Sequence, residues 1–324
     1  MIRSVMAGLC FIASTWIASC PAQAQDQFPS KTIRIIVPFA PGGGVDTLAR
    51  LLAEKMQTRF GTSVIVENRA GANGTIGGAY VQQSPADGYT VLFSSNTHTM
   101  ARAVMANAPY DPLVDFSPIA RVGEAPLLVV MSNKMPPKNL GDVAAAIKAN
   151  PNDWTAGTPA LGSPGHIATI QLMQLAKANL TVTPYRGTAP ALNDVAGGHI
   201  QMLIDAIVVL LPMAHDGKVK GLAVTTRKRA SIAPDIPTAA ESSLPGLEVV
   251  SWYGFWGPKG MPADVVKTLN SAASQAMSEL ERAGNLTAIG VDPVSETPAE
   301  FAAYQAAEVK RNGELLNAVG FKPQ

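Results

Sequence analysis

The chain has 324 residues, 15% of them charged, with 25 lysines and arginines against 24 aspartates and glutamates and a formal net charge of +1. This even balance gives no electrostatic support for nucleic acid or an acidic membrane surface as a partner. Both cysteines, Cys10 and Cys20, precede residue 25. A chain that starts at that point therefore excludes disulfides, thiolate catalysis and cysteine-bound metal.

The first 24 residues have the pattern of a signal peptide. Arg3 is followed by an apolar run from Val5 to Ile17 and then by Ala22-Gln23-Ala24, which is typical of a cleaved secretory leader. The run is too short to span a bilayer comfortably. The segment that ends at Cys20 also resembles a lipobox, so lipidation of this cysteine is the alternative. With either leader we expect an exported protein.

Strand and helix patterns alternate along the rest of the chain. The segments "TIRIIVPF", "SVIVEN" and "YTVLFSS" predict three strands, and a helical apolar pattern over 45–56 follows the first of them. Further strands are predicted at "WTAGT", "TVTPY", "IQMLID" and "GLAVTT", and helices over 140–150, 166–178, 188–196, 262–281 and 298–318. This alternation predicts an α/β fold with mostly parallel sheets.

Two long extended segments, 117–132 and 248–260, predict crossings between lobes. We therefore expect a discontinuous first lobe, residues 25–125 plus 250–324, and an inserted second lobe, residues 126–249. Two lobes joined by two strands would hinge around a cleft. The aromatic cluster at 252–256 within the second crossing is interpreted as hinge and core packing.

The glycines at 42–44 stand where the first strand meets the first helix. They permit either a tight turn or the close approach of a ligand to the first amides of the helix, which favour an anion. Asp46 is consistent with a helix cap or with a ligand contact, and both readings stay open. A phosphate site is disfavoured, because neither a P-loop nor a G-x-G-x-x-G motif is present.

The second lobe offers similar strand–helix junctions. They carry Ser163 as an N-cap with His166 in the first turn, Tyr185 before Gly187 and Thr188, and Asp205 at a strand end. A hydrolase is disfavoured, since "ALGSPG" is not G-x-S-x-G and a serine and a histidine three apart do not form the base geometry. The four histidines form no zinc motif.

Read together, several segments resemble Bug-type periplasmic substrate-binding proteins of tripartite tricarboxylate transporters. The segments are "PFAPGGGVDTLAR", "VENRAGANGTIGG", "DGYTVLFSSN", "YDPLVDFSPIARV", "GSPGHIA", "PYRGTAPALNDVAGGHIQMLID" and "PTAAESSLPGLE". The resemblance runs from about Phe28 to the C-terminus. It implies a two-lobed, type II periplasmic-binding-protein-like fold, no catalytic residue, no cofactor, no metal and a periplasmic location.

The resemblance also implies partners and a site. The partners are a small carboxylate and the membrane subunits of a tripartite transporter, and the receptor itself is expected to be a monomer that binds no nucleic acid. The alternative function is an enzyme that acts on a carboxylate in the same cleft. By position, the implied ligand contacts are Phe39, Gly43, Asp46, Ser95, Asn96, Ser163, His166, Tyr185, Gly187, Thr188 and Asp205.

Overall fold

The computed structural model describes residues 28–324, so the predicted leader 1–24, with Cys20, lies outside the described residues. The strands are β1 (Ile33–Val37), β2 (Val64–Asn68), β3 (Thr90–Ser95), β4 (Phe116–Met131), β5 (Thr155–Thr158), β6 (Thr181–Pro184), β7 (Met202–Ala206), β8 (Lys220–Val224), β9 (Val250–Pro258) and β10 (Asp292–Pro293). The α-helices are α1 (Gly44–Phe60), α2 (Thr75–Gln82), α3 (Ala101–Val104), α4 (Leu140–Ala149), α5 (Pro164–Ala176), α6 (Thr188–Gly197), α7 (Ile207–His215), α8 (Ala263–Arg282), α9 (Asn285–Ile289) and α10 (Pro298–Ala318).

The sheet has two halves that share one long strand. In the first half, β2, β1 and β3 are parallel, and β9 and β4 continue the sheet in antiparallel pairing. In the second half, β5 pairs in parallel with β6 and β7, while β7 and β8 pair antiparallel with β4. Strand β4 pairs with β9 as far as Pro126 and with β7 from Leu127. The predicted α/β class is confirmed, and the residue bounds of the two lobes stay a prediction.

Each half of the sheet has its own apolar core. Strand β1 and the inner face of α1 are buried together with α8 in the first lobe. In the second lobe, β7 is buried along its whole length and is covered by α4 and α5 on one side and by α6 and α7 on the other. Runs that are buried on both faces explain why these strands lack strict apolar–polar alternation in the sequence.

The long helix α10 joins the two cores. Its Phe301 packs edge-on against Trp252, with ring centroids 5.7 Å apart, while Leu316 lies in the second-lobe core. Two buried indoles are fixed to the same helix, since Trp252 Nε1 donates to Glu308 at 3.1 Å and Trp256 Nε1 donates to Gln305 at 2.9 Å. These tryptophans pack in the interior, at the crossing strand β9.

The short helix α7 was missed by the sequence patterns. It starts directly at the end of β7 without a turn residue, and Pro212 lies inside it. The apolar run continues from strand to helix, so periodicity alone gives no boundary. Across residues 28–324, no helix combines the length and apolar character that crossing a membrane requires.

Candidate functional site

Four helix N-termini converge on one cavity between the two lobes. Helix α1 comes from the first lobe, and α5, α6 and α7 come from the second. The cavity has a volume of about 70 Å³. It is lined by Phe39, Ala40, Pro41, Gly43, Gly44, Val45, Asp46, Ser95, Thr97, Pro159, Ser163, Pro164, Gly187, Thr188, Ala189, Pro190, Asp205, Ala206, Ser251 and Tyr253. We call this space the amide cavity.

The lining of the amide cavity contains no lysine, arginine or histidine. The first amides of a helix have no partner within the helix, and the helix dipole makes this end attractive to an anion. The N-cap residues Gly43, Gly187 and Ala206 provide no side-chain hydrogen bond to their helices. Main-chain amides therefore supply the positive end of the site.

The start of α5 differs from the other three. Ser163 Oγ accepts a hydrogen bond from the His166 amide at 3.2 Å and bonds to Thr158 Oγ1 at 2.9 Å. Pro164 at the first helical position has no amide hydrogen. This helix start is already capped, and at α7 the Ala206 amide already donates to Asp205, so α1 and α6 offer the amides for a ligand.

Asp46 is bound to its own lobe. Its carboxylate accepts four hydrogen bonds, from the Gly42 amide at 2.9 Å, from Arg50 Nε at 3.0 Å and Nη2 at 2.9 Å, and from Asn68 Nδ2 at 2.8 Å. Asn68 Nδ2 also donates to the Phe39 carbonyl at 3.1 Å. Burial raises the pKa of Asp46, but the bonds from Arg50, Gly42 and Asn68 outweigh it and leave the pKa below its usual value. Of the two readings left open by the sequence, the contacts favour the structural one, in which Asp46 caps the loop before α1 through the Gly42 amide.

Asp205 lies across the cavity in a different environment. Its Oδ2 accepts a bond from Thr188 Oγ1 at 2.5 Å and its Oδ1 accepts one from the Ala206 amide at 2.8 Å. Burial raises the pKa of Asp205 to about 6, against the lowering effect of these two bonds. A carboxylate can accept about four hydrogen bonds, so this one keeps acceptor capacity toward the cavity.

Tyr253 is a site residue that the sequence reading assigned to packing. Its side chain is 1% exposed and lines the cavity, and its hydroxyl has no hydrogen-bond partner among residues 28–324. Burial raises the pKa of Tyr253 to about 12, while the neighbouring Ser251 lowers it and the charge of Asp205 raises it. A buried hydroxyl without a partner is a costly feature unless a ligand or water completes it. The sequence contains one indication of this role. Residues two apart in a strand lie on the same face of the sheet, so Tyr253 lies on the same face of β9 as the polar residue Ser251.

The structure brings together eight of the eleven residues predicted for the site. These eight line the amide cavity from both lobes: Phe39, Gly43, Asp46, Ser95, Ser163, Gly187, Thr188 and Asp205. Five residues outside the predicted set of ligand contacts also line the cavity: Gly44, Thr97, Ala206, Ser251 and Tyr253.

Three predicted residues do not line the cavity. Asn96 is 1% exposed, and its side-chain amide has no partner within the described chain. His166 accepts from the Gly162 amide at 3.0 Å, and its ring packs against Phe321, so burial lowers its pKa to about 4. The Tyr185 hydroxyl donates to Asp194 at 2.6 Å, outside the cavity. The geometry gives these three no direct contact with a ligand in the amide cavity.

The arrangement suits binding better than reaction. His166 is buried away from the cavity, and the Ser163 hydroxyl is occupied by Thr158 and by the helix amide, so these two residues do not form a pair of base and nucleophile. Within residues 28–324, no group of three or more His, Cys, Asp or Glu side chains is placed to hold a metal ion. What remains is a small, largely apolar space between the lobes, with amide donors at the helix starts.

Comparison with known proteins gives consistent matches along the chain. A family model described as "Tripartite tricarboxylate transporter family receptor" matches residues 48–321. Protein BugT of Bordetella pertussis is 35% identical over 315 residues, which cover 96% of this chain and 96% of BugT.

Two solved structures from Rhodopseudomonas palustris share the fold. Rpa4515, solved with adipate, is 31% identical with a TM-score of 0.87, over 92% of this chain and 100% of its own. MatC, solved with bound malate, is 32% identical with a TM-score of 0.83, over 89% of this chain and 100% of its own. These likenesses confirm the two-lobed, type II periplasmic-binding-protein fold. The family and its structural neighbours are solute-binding receptors rather than enzymes.

Proposed function

This chain belongs to the tripartite tricarboxylate transporter receptor family, and we propose that it is a periplasmic receptor that captures a small carboxylate in the amide cavity. The observation that carries the proposal is the convergence of four helix N-termini on a cavity whose lining has no cationic side chain. Family membership also confirms the prediction that the protein is not an enzyme.

Capture proceeds by closure of the two lobes. An anion that bonds to α1 on one side and to α6 on the other has contacts with both lobes only when they are closed, so it shifts the population toward the closed form. Micromolar affinity needs about 8 kcal/mol. One open helix start gives an anion at most about 1 kcal/mol, whereas charge-assisted bonds contribute about 1.5–3 kcal/mol each. Contacts from both lobes reach the required sum.

Asp205 and Tyr253 narrow the class of carboxylate. A buried acid on the cavity wall repels a second negative charge but accepts a hydroxyl or an ammonium hydrogen. The cavity therefore favours a small acid whose carboxylate meets the amides and whose hydrogen-bond donor meets Asp205. Malate, which carries a hydroxyl donor, and adipate, which has none, are the ligands of the two R. palustris structures and form the first pair to compare.

The receptor delivers its cargo to the membrane subunits of a tripartite transporter and acts as a monomer. The family description supports a transporter as the partner. The predicted leader, with cleavage after Ala24, places the protein in the periplasm for this role. The residue bounds proposed for the lobes, 25–125 plus 250–324 and 126–249, define the two bodies that move.

Binding and identity of the cargo are tested together. Protein starting at Gln25 is purified gently, and mass spectrometry after denaturation identifies what it carries. Calorimetry then measures malate, adipate, other dicarboxylates, amino acids and aromatic acids. The proposal expects a small acid that is bound with micromolar or tighter affinity and recovered unchanged. A converted product, or a panel without any binding, contradicts it.

A further inference from the structure

The loop between β2 and α2 has an unusual backbone. Four successive residues have positive φ, with values of 130° at Gly71, 46° at Ala72, 53° at Asn73 and 86° at Gly74. Two of the four are not glycine, and such residues adopt this conformation rarely, with asparagine among the more tolerant. The conformation fixes the direction in which the Asn73 side chain leaves the loop.

Asn73 makes a contact with the other lobe. Its Oδ1 accepts a hydrogen bond from the Leu161 amide at 3.1 Å, although the two residues are 88 positions apart. Leu161 follows β5 in the second lobe and is 4% exposed. Within the part of the chain that the structure describes, this is the hydrogen bond that joins loops of the two lobes across the cleft. The other bonds between distant segments run within one lobe or along the crossing strands.

The loop held by Asn73 belongs to the wall of the amide cavity. Pro159 and Ser163 line the cavity on either side of Leu161. Thr158 Oγ1 donates to the Ala160 carbonyl at 3.0 Å, and the Ser163 amide donates to the same carbonyl at 3.2 Å. The 158–163 segment is therefore a compact unit, so a bond at its Leu161 amide positions the whole segment against the first lobe.

We propose that Asn73 is a positioning residue that latches the second-lobe loop 158–163 to the first lobe and thereby sets the closed fraction of the receptor. The latch uses protein atoms only, so it acts with and without ligand. Its effect on affinity rests on the proposed function, because an additional bond in the closed form slows the release of whatever the amide cavity holds. A contact of this kind changes the equilibrium by about three- to tenfold.

The experiment compares wild type with Asn73→Gly, Asn73→Asp and Ala72→Gly. Asn73→Gly keeps the left-handed backbone and removes the acceptor, while Asn73→Asp keeps an acceptor oxygen at the same position. Ala72→Gly is the matched control, since it relieves the neighbouring positive-φ backbone and removes no hydrogen-bonding side-chain group. The measurements are hydrogen–deuterium exchange at the Leu161 amide in ligand-free protein, the melting temperature, and the affinity and dissociation rate of malate.

We expect the Leu161 amide to exchange about three- to tenfold faster in Asn73→Gly than in wild type, with little change in melting temperature. Asn73→Asp and Ala72→Gly should remain within about twofold of wild type. Malate should bind about three- to tenfold more weakly to Asn73→Gly, mainly through faster dissociation. Unchanged exchange at Leu161, or an equal loss in Asn73→Asp, overturns the latch. A wild type that binds no acid overturns the proposed function instead, and the exchange comparison still decides the latch.

Discussion

Asp46 and Asp205 line the same cavity from opposite lobes and have opposite electrostatic character. Asp46 accepts four hydrogen bonds and its pKa is lowered, whereas Asp205 accepts two and burial raises its pKa to about 6. The carboxylate of Asp46 has no acceptor capacity left, whereas that of Asp205 can accept further hydrogen bonds and has a pKa near 6. The number of neighbouring hydrogen-bond donors therefore decides the role of each aspartate. Asp46 stabilises the protein, whereas Asp205 is available to bind a ligand.

The comparison also distinguishes the two walls of the cavity. On the first-lobe side, Arg50 and Asn68 fix Asp46, which in turn fixes the loop that presents the α1 amides. That wall is organised before any ligand arrives. The second wall is formed by Asp205 of the second lobe and by Tyr253 on the crossing strand β9. Asp205 keeps acceptor capacity toward the cavity, and the Tyr253 hydroxyl has no partner among the described residues. We expect substitutions on the first wall to change stability or access, and those on the second wall to change selectivity.

The largest effect is expected at Gly43. Its φ is −81°, and a Cβ there meets no atom within 4 Å, so the backbone accepts a side chain that would occupy open space beside the cavity. Gly43→Val should reduce the affinity for the carboxylate more than 100-fold. A side chain at this position keeps the ligand from one hydrogen bond to each lobe, and two such bonds together contribute at least about 3 kcal/mol of binding free energy. The melting temperature should stay nearly unchanged. Calorimetry and thermal unfolding of the same preparation measure both, and an unfolded variant would mean that the glycine serves only the turn.

The next effect concerns the organised wall. Asp46→Ala leaves Arg50 and Asn68 without their acceptor and should lower the free energy of unfolding by about 2–3 kcal/mol at pH 7. This is less than the cost of breaking a fully buried ion pair, because the Arg50 side chain is 51% exposed. The pKa of Asp46 is lowered, so its contribution is present above pH 3.8 and is lost as the pH falls further. Urea unfolding at pH 7 and pH 3 measures this. Equal stability of variant and wild type at pH 7 would refute the cap.

The pH dependence of stability that Asp205 contributes should have the opposite sign to that of Asp46, and Asp205→Asn should remove it. The unfolded acid ionises near pH 3.8 and the folded one near pH 6, so wild type loses about 2 kcal/mol of stability as the pH rises from 4 to 7. The asparagine variant does not ionise, and its stability relative to wild type should rise over that interval. Urea unfolding across this pH range checks the result, with Asp46→Asn as the contrasting variant. Parallel pH profiles for Asp205→Asn and wild type would contradict the raised pKa.

The smallest effect is expected at Tyr253. Its hydroxyl lacks a partner in the folded chain, so Tyr253→Phe should leave stability unchanged or raise it by up to about 1 kcal/mol. If the hydroxyl bonds to the ligand, affinity should fall about three- to tenfold. Thermal unfolding and calorimetry separate the two contributions. A loss of stability without a loss of affinity would assign Tyr253 to packing, as the sequence reading did.

The sequence predicted the frame of the molecule well. Helix α10 matches its predicted range of 298–318. Strand β4 coincides with the first predicted crossing, because the sequence there has an extended pattern and no helical periodicity. The loop at 42–44 was placed correctly since glycines between a strand and a helix permit few alternatives. Helix α7 was missed, because an apolar run that passes from strand to helix has no boundary in its periodicity.

The site was predicted less completely, and the reason is geometric. His166 was grouped with Ser163 by its place in the first turn, but its ring leaves the helix toward Phe321. Arg50 and Asn68 decide the role of Asp46 from one turn further along the helix and from the neighbouring strand. Tyr253 looks like a packing residue because it stands within an aromatic run. Which face a side chain occupies depends on strand register and helix docking, which local patterns do not specify.

A crystal structure of the receptor with its bound acid tests the central claim most directly. The account predicts one carboxylate group inside the amide cavity, with its oxygens about 2.7–3.2 Å from amide nitrogens at the starts of α1 and α6. It also predicts no lysine or arginine side chain within bonding distance of that group. A carboxylate paired with a cationic side chain, or a ligand seated outside the cavity, would contradict it.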